Sequence, residues 1–256
     1  MKIVLTLFLL AFASLSHAQG LRLFSLGALS DGEDWQAVGR IDIAGEAFCT
    51  GALIAPDLVL TAAHCLYDPA TRQPVALDQL QFKAGWRNGR ASAYRYVSAA
   101  VHHPAYVFEA SPGPERVSVD IALLRLQVPI EDPGIEPFAV DHEPGTGDRV
   151  GVVSYAHGRN DAPSVQEMCS VLARQQGMLM MNCAVDFGSS GSPVFSFSSG
   201  RPRIVSVVSS KAKANGQDVS LGVALHSALD DLRARIGNPQ GTSQSLGGTS
   251  AKFVRP

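Results

Sequence analysis

No block of lysine or arginine runs through this 256-residue chain, and no acidic tail closes it. Lys and Arg number 21 against 23 Asp and Glu, for a formal net charge of −2. A phosphate backbone would find no basic stripe to meet, so nucleic acid is excluded as a partner. Long apolar runs are scarce too. Ile3 to Leu15 is the one extended hydrophobic stretch; it is too short to span a bilayer comfortably, and no second follows it. Cysteine is limited to Cys49, Cys65, Cys169 and Cys183, without the closely spaced pairs of zinc knuckles. That sets aside a metal site built from cysteines and His64, and no metal is expected. There is no internal repeat. A Gly-x-Ser-x-Gly elbow is also missing, because Ser192 stands where the second glycine would be, which disfavours an α/β-hydrolase.

What is present reads as an exported globular protein. The composition is 46% hydrophobic and 17% charged, enough to bury a sizeable core in one large domain or two small ones. Lys2, the apolar run and the small residues of Ser16-His17-Ala18 form a secretory signal over residues 1–18, with cleavage after Ala18. Loss of Lys2 leaves the mature chain near −3, from −2 less one positive charge. A secreted or periplasmic location follows, with no membrane attachment after signal removal. In an oxidising compartment the four cysteines are read as disulfides. Three pairings are possible; the simplest joins Cys49 to Cys65 and Cys169 to Cys183.

Residues 19–34 are expected to form a loosely held N-terminal segment and a possible propeptide. From Trp35 onward short apolar or alternating runs dominate, among them 37–43, 51–54, 58–61, 80–84, 94–101 and 121–126. Prolines 129, 133, 137 and 144 with glycines 134, 145 and 147 then break the pattern. Strand texture resumes at 149–153 and recurs at 170–173, 178–183, 193–197, 204–209 and 219–225. Leu229, Leu232 and Ile236 share one face of a helix over 226–236. The Gly/Ser/Thr/Gln-rich tail, 237–256, is expected to be disordered. Many strands and one late helix predict an all-β fold. The expected units are 35–130, a linker at 131–147, and 148–236.

Three motifs carry chemistry. Thr61-Ala62-Ala63-His64-Cys65 places a histidine at a strand end, a base of near-neutral pKa on a rigid element. Asp120 leads into Ile121-Ala122-Leu123-Leu124-Arg125-Leu126, so its carboxylate would be partly buried and would need a partner such as an imidazole N–H. Gly188-Ser189-Ser190-Gly191-Ser192-Pro193 sets a serine among glycines, whose conformational freedom lets backbone N–H groups turn inward to form an oxyanion hole. Each motif alone has a bland reading: an incidental histidine, a strand-start aspartate facing water, a flexible loop. Together, in the order His, Asp, Ser, they point to nucleophilic catalysis by Ser190.

These motifs resemble those of the trypsin/chymotrypsin-like serine peptidase family. Gly188 to Pro193 resembles the form found in its bacterial, glutamyl-endopeptidase-like branch. Cys49-Thr50-Gly51-Ala52-Leu53-Ile54 and His103-Pro104-Ala105-Tyr106 add to the resemblance, which spans about residues 35–236. It implies two six-stranded antiparallel β-barrels, one over 35–130 and one with the C-terminal helix over 148–236, with a cleft between them. It implies His64, Asp120 and Ser190 as catalytic residues, the amides of Gly188 and Ser190 as oxyanion hole, and a Cys49–Cys65 bridge. Protein or peptide substrates, a monomer, and chemistry without a cofactor are implied as well. By the same resemblance Ala184 floors the specificity pocket and Ser206, Val207 and Val208 wall it, which suggests an apolar or small preference. Two features depart from the family. Ser189 stands where many animal members carry an acid that pairs with a new N-terminus, and no Ile-Val-Gly-Gly-like segment lies upstream of Trp35. Activation is therefore expected not to use that switch. A catalytically silent binding protein on the same scaffold is the rival reading.

Overall fold

The computed structural model describes residues 23–27, 30–142 and 144–237. The signal expected at 1–18 and all of the tail but Gly237 lie outside them. Among the described residues are thirteen strands, twelve of which form two barrels. The first barrel holds β2 (Val38–Ile43), β3 (Ala47–Ala55), β4 (Leu58–Thr61), β5 (Leu80–Ala84), β6 (Ala93–His102) and β7 (Ala122–Leu126). It closes in the order β2-β3-β4-β7-β6-β5. Alternation sets the pleat: in β5, Leu80, Phe82 and Ala84 are fully buried while Gln81 and Lys83 are partly exposed. A short α1 (Pro114–Val117) lies in the β6–β7 connection.

The second barrel is built from β8 (Arg149–Ala156), β9 (Arg159–Gln175), β10 (Met178–Met181), β11 (Pro193–Ser196), β12 (Arg203–Ala214) and β13 (Gln217–Ala224). The ladder runs β9-β10-β13-β12-β11-β8, and a β8–β9 pairing closes it. Asn215 and Gly216 turn β12 into β13 with φ of 51° and 80°, the positive values that a two-residue hairpin turn demands. Both barrels are therefore six-stranded and antiparallel.

The ends of the described region are tied down. Residues 23–27, expected to hang loosely, include β1 (Phe24–Ser25), which adds to the edge of β9, and Leu26, which is buried. A 3-10 helix, Ser30–Trp35, leads into the first barrel. After β13, α2 (His226–Gly237) buries Leu229, Leu232 and Ile236. These three join the same apolar cluster as Ile121, Leu123 and Leu124, and α2 packs on β6 and β7. Two disulfides are present, Cys49–Cys65 and Cys169–Cys183. The first ties β3 to the segment after β4, the second ties β9 to the chain just past β10.

Candidate active site

Strand register brings His64 to Asp120. Thr61, the last residue of β4, pairs with Ala122, the first of β7, in an antiparallel ladder. Residues just after Thr61 and just before Ala122 therefore leave the barrel at the same end. His64 sits there in a single 3-10 turn, Ala63–Leu66, pinned by the Cys65 disulfide. Its Nδ1 lies 2.7 Å from Asp120 Oδ2, and its backbone N–H donates to Asp120 Oδ1 at 2.9 Å. A third donor comes from the other barrel: Ser209 Oγ, 2.6 Å from Asp120 Oδ2. Burial by itself would raise the carboxyl of Asp120. The charge of His64 and these three hydrogen bonds outweigh burial and hold it below the usual carboxylate range. An ionised carboxylate only accepts, so Nδ1 carries a proton, and in the neutral ring Nε2 is the acceptor.

Ser190 lies on a loop whose backbone only glycine permits. Gly188 has φ +94°, and a Cβ there would overlap the Phe48 ring. Gly191 has φ +77°, and a Cβ would overlap Thr61 Oγ1 and the Thr50 carbonyl. The first barrel grips this loop through Thr50, whose N–H donates to the Ser190 carbonyl at 2.8 Å and whose Oγ1 donates to the Gly188 carbonyl at 2.9 Å. Within the loop the N–H groups of Ser189, Gly191 and Ser192 donate to Asp186, Val208 and Ser189 carbonyls. Among the described residues, the N–H groups of Gly188 and Ser190 have no such partner.

His64, Asp120, Gly188 and Ser190 all line one cleft of about 660 Å³. Of the four residues expected to shape a specificity pocket, Val208 lines this cleft, and Ala184, Ser206 and Val207 do not. Ser206 and Val207 are both fully buried, and Ser206 Oγ donates to the Val223 carbonyl. Ala184 is exposed, its N–H held on Gln166 Oε1. The walls are Val208-Ser209-Ser210-Lys211 of β12 and Val185-Asp186-Phe187, and Lys211 Nζ bridges them to Asp186 at 2.7 Å. A bulge between Val208 and Ser210 carries β12 from core to cleft. The sequence offered one signal for this, the change from apolar Val207-Val208 to the small polar pair Ser209-Ser210. The ligating atoms of Cys49, His64 and Cys65 cluster within 4.8 Å, but the two sulfurs are bonded to each other and offer no thiolate to a metal.

Two closed barrels, with a histidine–aspartate couple and a serine lining one cleft, define a chymotrypsin-like architecture. The family model described as a trypsin-like peptidase domain matches residues 49–203, more than half of the chain. The chain belongs to that family. It is 36% identical over 91 residues to the modular serine protease of Drosophila melanogaster, covering 32% of this chain and 14% of that protein. It is 29% identical over 186 residues to the human peroxisomal leader peptide-processing protease, covering 71% of this chain and 29% of the other. A match to glucanase inhibitor protein 4 of Phytophthora infestans is 32% identical over 157 residues, covering 60% and 57%. In each case the chain spans less than two thirds of its relative's length. Among solved structures, a Glu endopeptidase superposes with a TM-score of 0.68 at 18% identity, covering 83% of this chain and 94% of that one. That likeness is one of fold.

Proposed function

We propose that this chain is a secreted serine endopeptidase in which Ser190 is the nucleophile, His64 the general base and Asp120 the residue that orients His64. The observation that carries the reading is the 2.7 Å contact between His64 Nδ1 and the buried, ionised Asp120, made at the edge of the cleft that Ser190 lines. Held in this tautomer, His64 takes the Ser190 proton on Nε2 as Oγ attacks the scissile carbonyl. The imidazolium so formed is stabilised by Asp120. The Gly188 and Ser190 amides receive the oxyanion, a contribution of about 10²–10³ in rate per donor in comparable sites. His64 then protonates the leaving amine, and water resolves the acyl-enzyme by the same steps in reverse roles. Asp186, an acid that lines the cleft, is already bonded to Lys211, so a lysine or arginine preference is not part of the proposal.

Labelling of the purified mature chain by a fluorophosphonate, read by mass spectrometry, tests this. Stoichiometric adduct at Ser190, absent from Ser190→Ala, is expected. The similarity to glucanase inhibitor protein 4 favours the second reading, a silent binding protein on this scaffold. That reading gives a folded, disulfide-bonded chain that takes no label.

A further inference from the structure

The loop that carries Ser190 holds left-handed backbone at Gly188 and Gly191, and something must fix it. Its inward anchor is Ser189, which is 1% exposed. The Ser189 hydroxyl uses its whole bonding capacity. It donates to the Tyr155 carbonyl and accepts from the Asp186 N–H and from Arg159 Nη2, each at 3.3 Å. Arg159 opens β9, directly after the turn at His157-Gly158. Its Nη1 donates to the Ser154 carbonyl at 2.9 Å and its Nη2 to Ser154 Oγ at 3.0 Å. Ser154 belongs to β8 and is itself buried. The guanidinium is thus clamped to a barrel strand on one side and to the nucleophile loop on the other, and none of these partners is a carboxylate. Burial pulls its pKa down and the nearby charge of Asp186 opposes that. Drawing a cation out of water onto neutral serines costs free energy. What the arrangement provides is position.

We propose that Arg159 is the positioning residue of the Ser190 loop, holding Ser189 so that the Gly188 and Ser190 amides stay aligned without help from any chain terminus. The proposal rests on the reading of Ser190 as nucleophile. Arginine suits the task because its planar fork reaches two acceptors together and keeps its charge in alkali, which a lysine or an amino terminus does not. The charged and titratable groups around it are Asp186, which is paired with Lys211 of β12, His157 stacked on Phe48 in the same turn, Asp161 further along β9, and the phenol of Tyr155, which burial pushes up.

The test follows the rate of fluorophosphonate labelling of the intact chain from neutral to strongly alkaline pH. Wild type is expected to hold a plateau on the alkaline side. Arg159→Met is expected to slow labelling about 10²-fold, as if one oxyanion donor were lost. Arg159→Lys should regain part of the neutral rate and then lose it in alkali as the half-buried ammonium gives up its proton; a merely structural role gives no such limb. Ser189→Asp, which offers the guanidinium a carboxylate, should keep the wild-type plateau. If Arg159→Met does not fold, Ser189→Ala removes the same contact together with the hydroxyl's bonds to Tyr155 and Asp186, and labelling should slow by about tenfold or more. Wild-type rates in Arg159→Met, or a flat alkaline profile in Arg159→Lys, would overturn the proposal. An unlabelled wild type would overturn the nucleophile reading and this inference with it, whereas a loss confined to the variants leaves that reading standing.

Discussion

The two barrels contribute to the cleft in different ways. The first holds His64 and Asp120 at the mouth of a paired β4–β7 ladder, with a disulfide beside the histidine, so their separation is a consequence of strand register. The second offers Ser190 on a loop with no ladder of its own, held by Thr50 from across the interface and by Ser189 from within. Register tolerates changes of side chain, because backbone hydrogen bonds do the holding. A loop held by isolated backbone bonds, a few side chains and two left-handed glycines tolerates fewer. The vulnerable half of this site is therefore the serine half, although its individual residues are the smaller ones.

The largest effect should come from the chemistry itself. Asp120→Asn, which keeps the shape but loses the charge that selects the His64 tautomer, should lower peptide turnover by about 10⁴-fold. Turnover within a few-fold of wild type would separate the couple from the reaction. Next comes the loop. Gly191→Ala forces a Cβ onto Thr61 and Thr50 at a positive φ and should cost about 3 kcal/mol. In a chain of this size that is roughly 6–12 °C in thermal midpoint by calorimetry. An alanine between the paired ends of β4 and β7, at Thr61, should cost less, and the reverse order would break the contrast between the two halves.

Ser209→Ala sharpens the contrast from the other side, since it removes the one bond to Asp120 that crosses between barrels. A loss of about 1.5–3 kcal/mol is expected for a hydrogen bond to a charged group, read by denaturant titration. The smallest effect concerns acid. Asp120 is more acidic folded than unfolded, so between its unfolded value, about 4, and its lower folded one the unfolded chain binds the extra proton. The stability Asp120 contributes is complete above pH of about 4 and is lost as pH falls through the folded value. Asp120→Asn should show a shallower fall of stability in that window, and parallel acid curves for the two proteins would argue against it.

Much of this was legible beforehand, for reasons that differ by residue. His64 and Asp120 announced themselves because each borders an apolar strand, and Ser190 because glycines flank it. The alternating or apolar strands of both barrels were read within a few residues of their ends. The first half of β9 was not, because Arg159-Asn160-Asp161 is polar and its strand character comes from the turn at His157-Gly158 and pairing with β8. The outer half of β12 escaped for a similar reason: Lys211 to Ala214 lies on a projecting hairpin with no core face to set an apolar rhythm. Of the pocket wall expected at Ser206 to Val208, Val208 lines the cleft, which continues along Ser209 to Lys211. A bulge shifts register by contacts far apart in the chain, and no local pattern records that. Ser209 gains its meaning from Asp120, 89 positions away.

The outermost described elements are exchanged between the barrels. The early strand β1 pairs with β9 of the second barrel, while the last helix, α2, covers β6 and β7 of the first, where Arg125 Nη2 reaches the Ile236 carbonyl. A polypeptide emerging from its N-terminus cannot finish either half alone. Its opening strand waits for β9 to appear, and the apolar side of its first barrel stays uncovered until residue 236 has emerged. Assembly is thus deferred until α2 has been delivered, and a chain cut short before α2 would leave Leu123 and Leu124 without their cover.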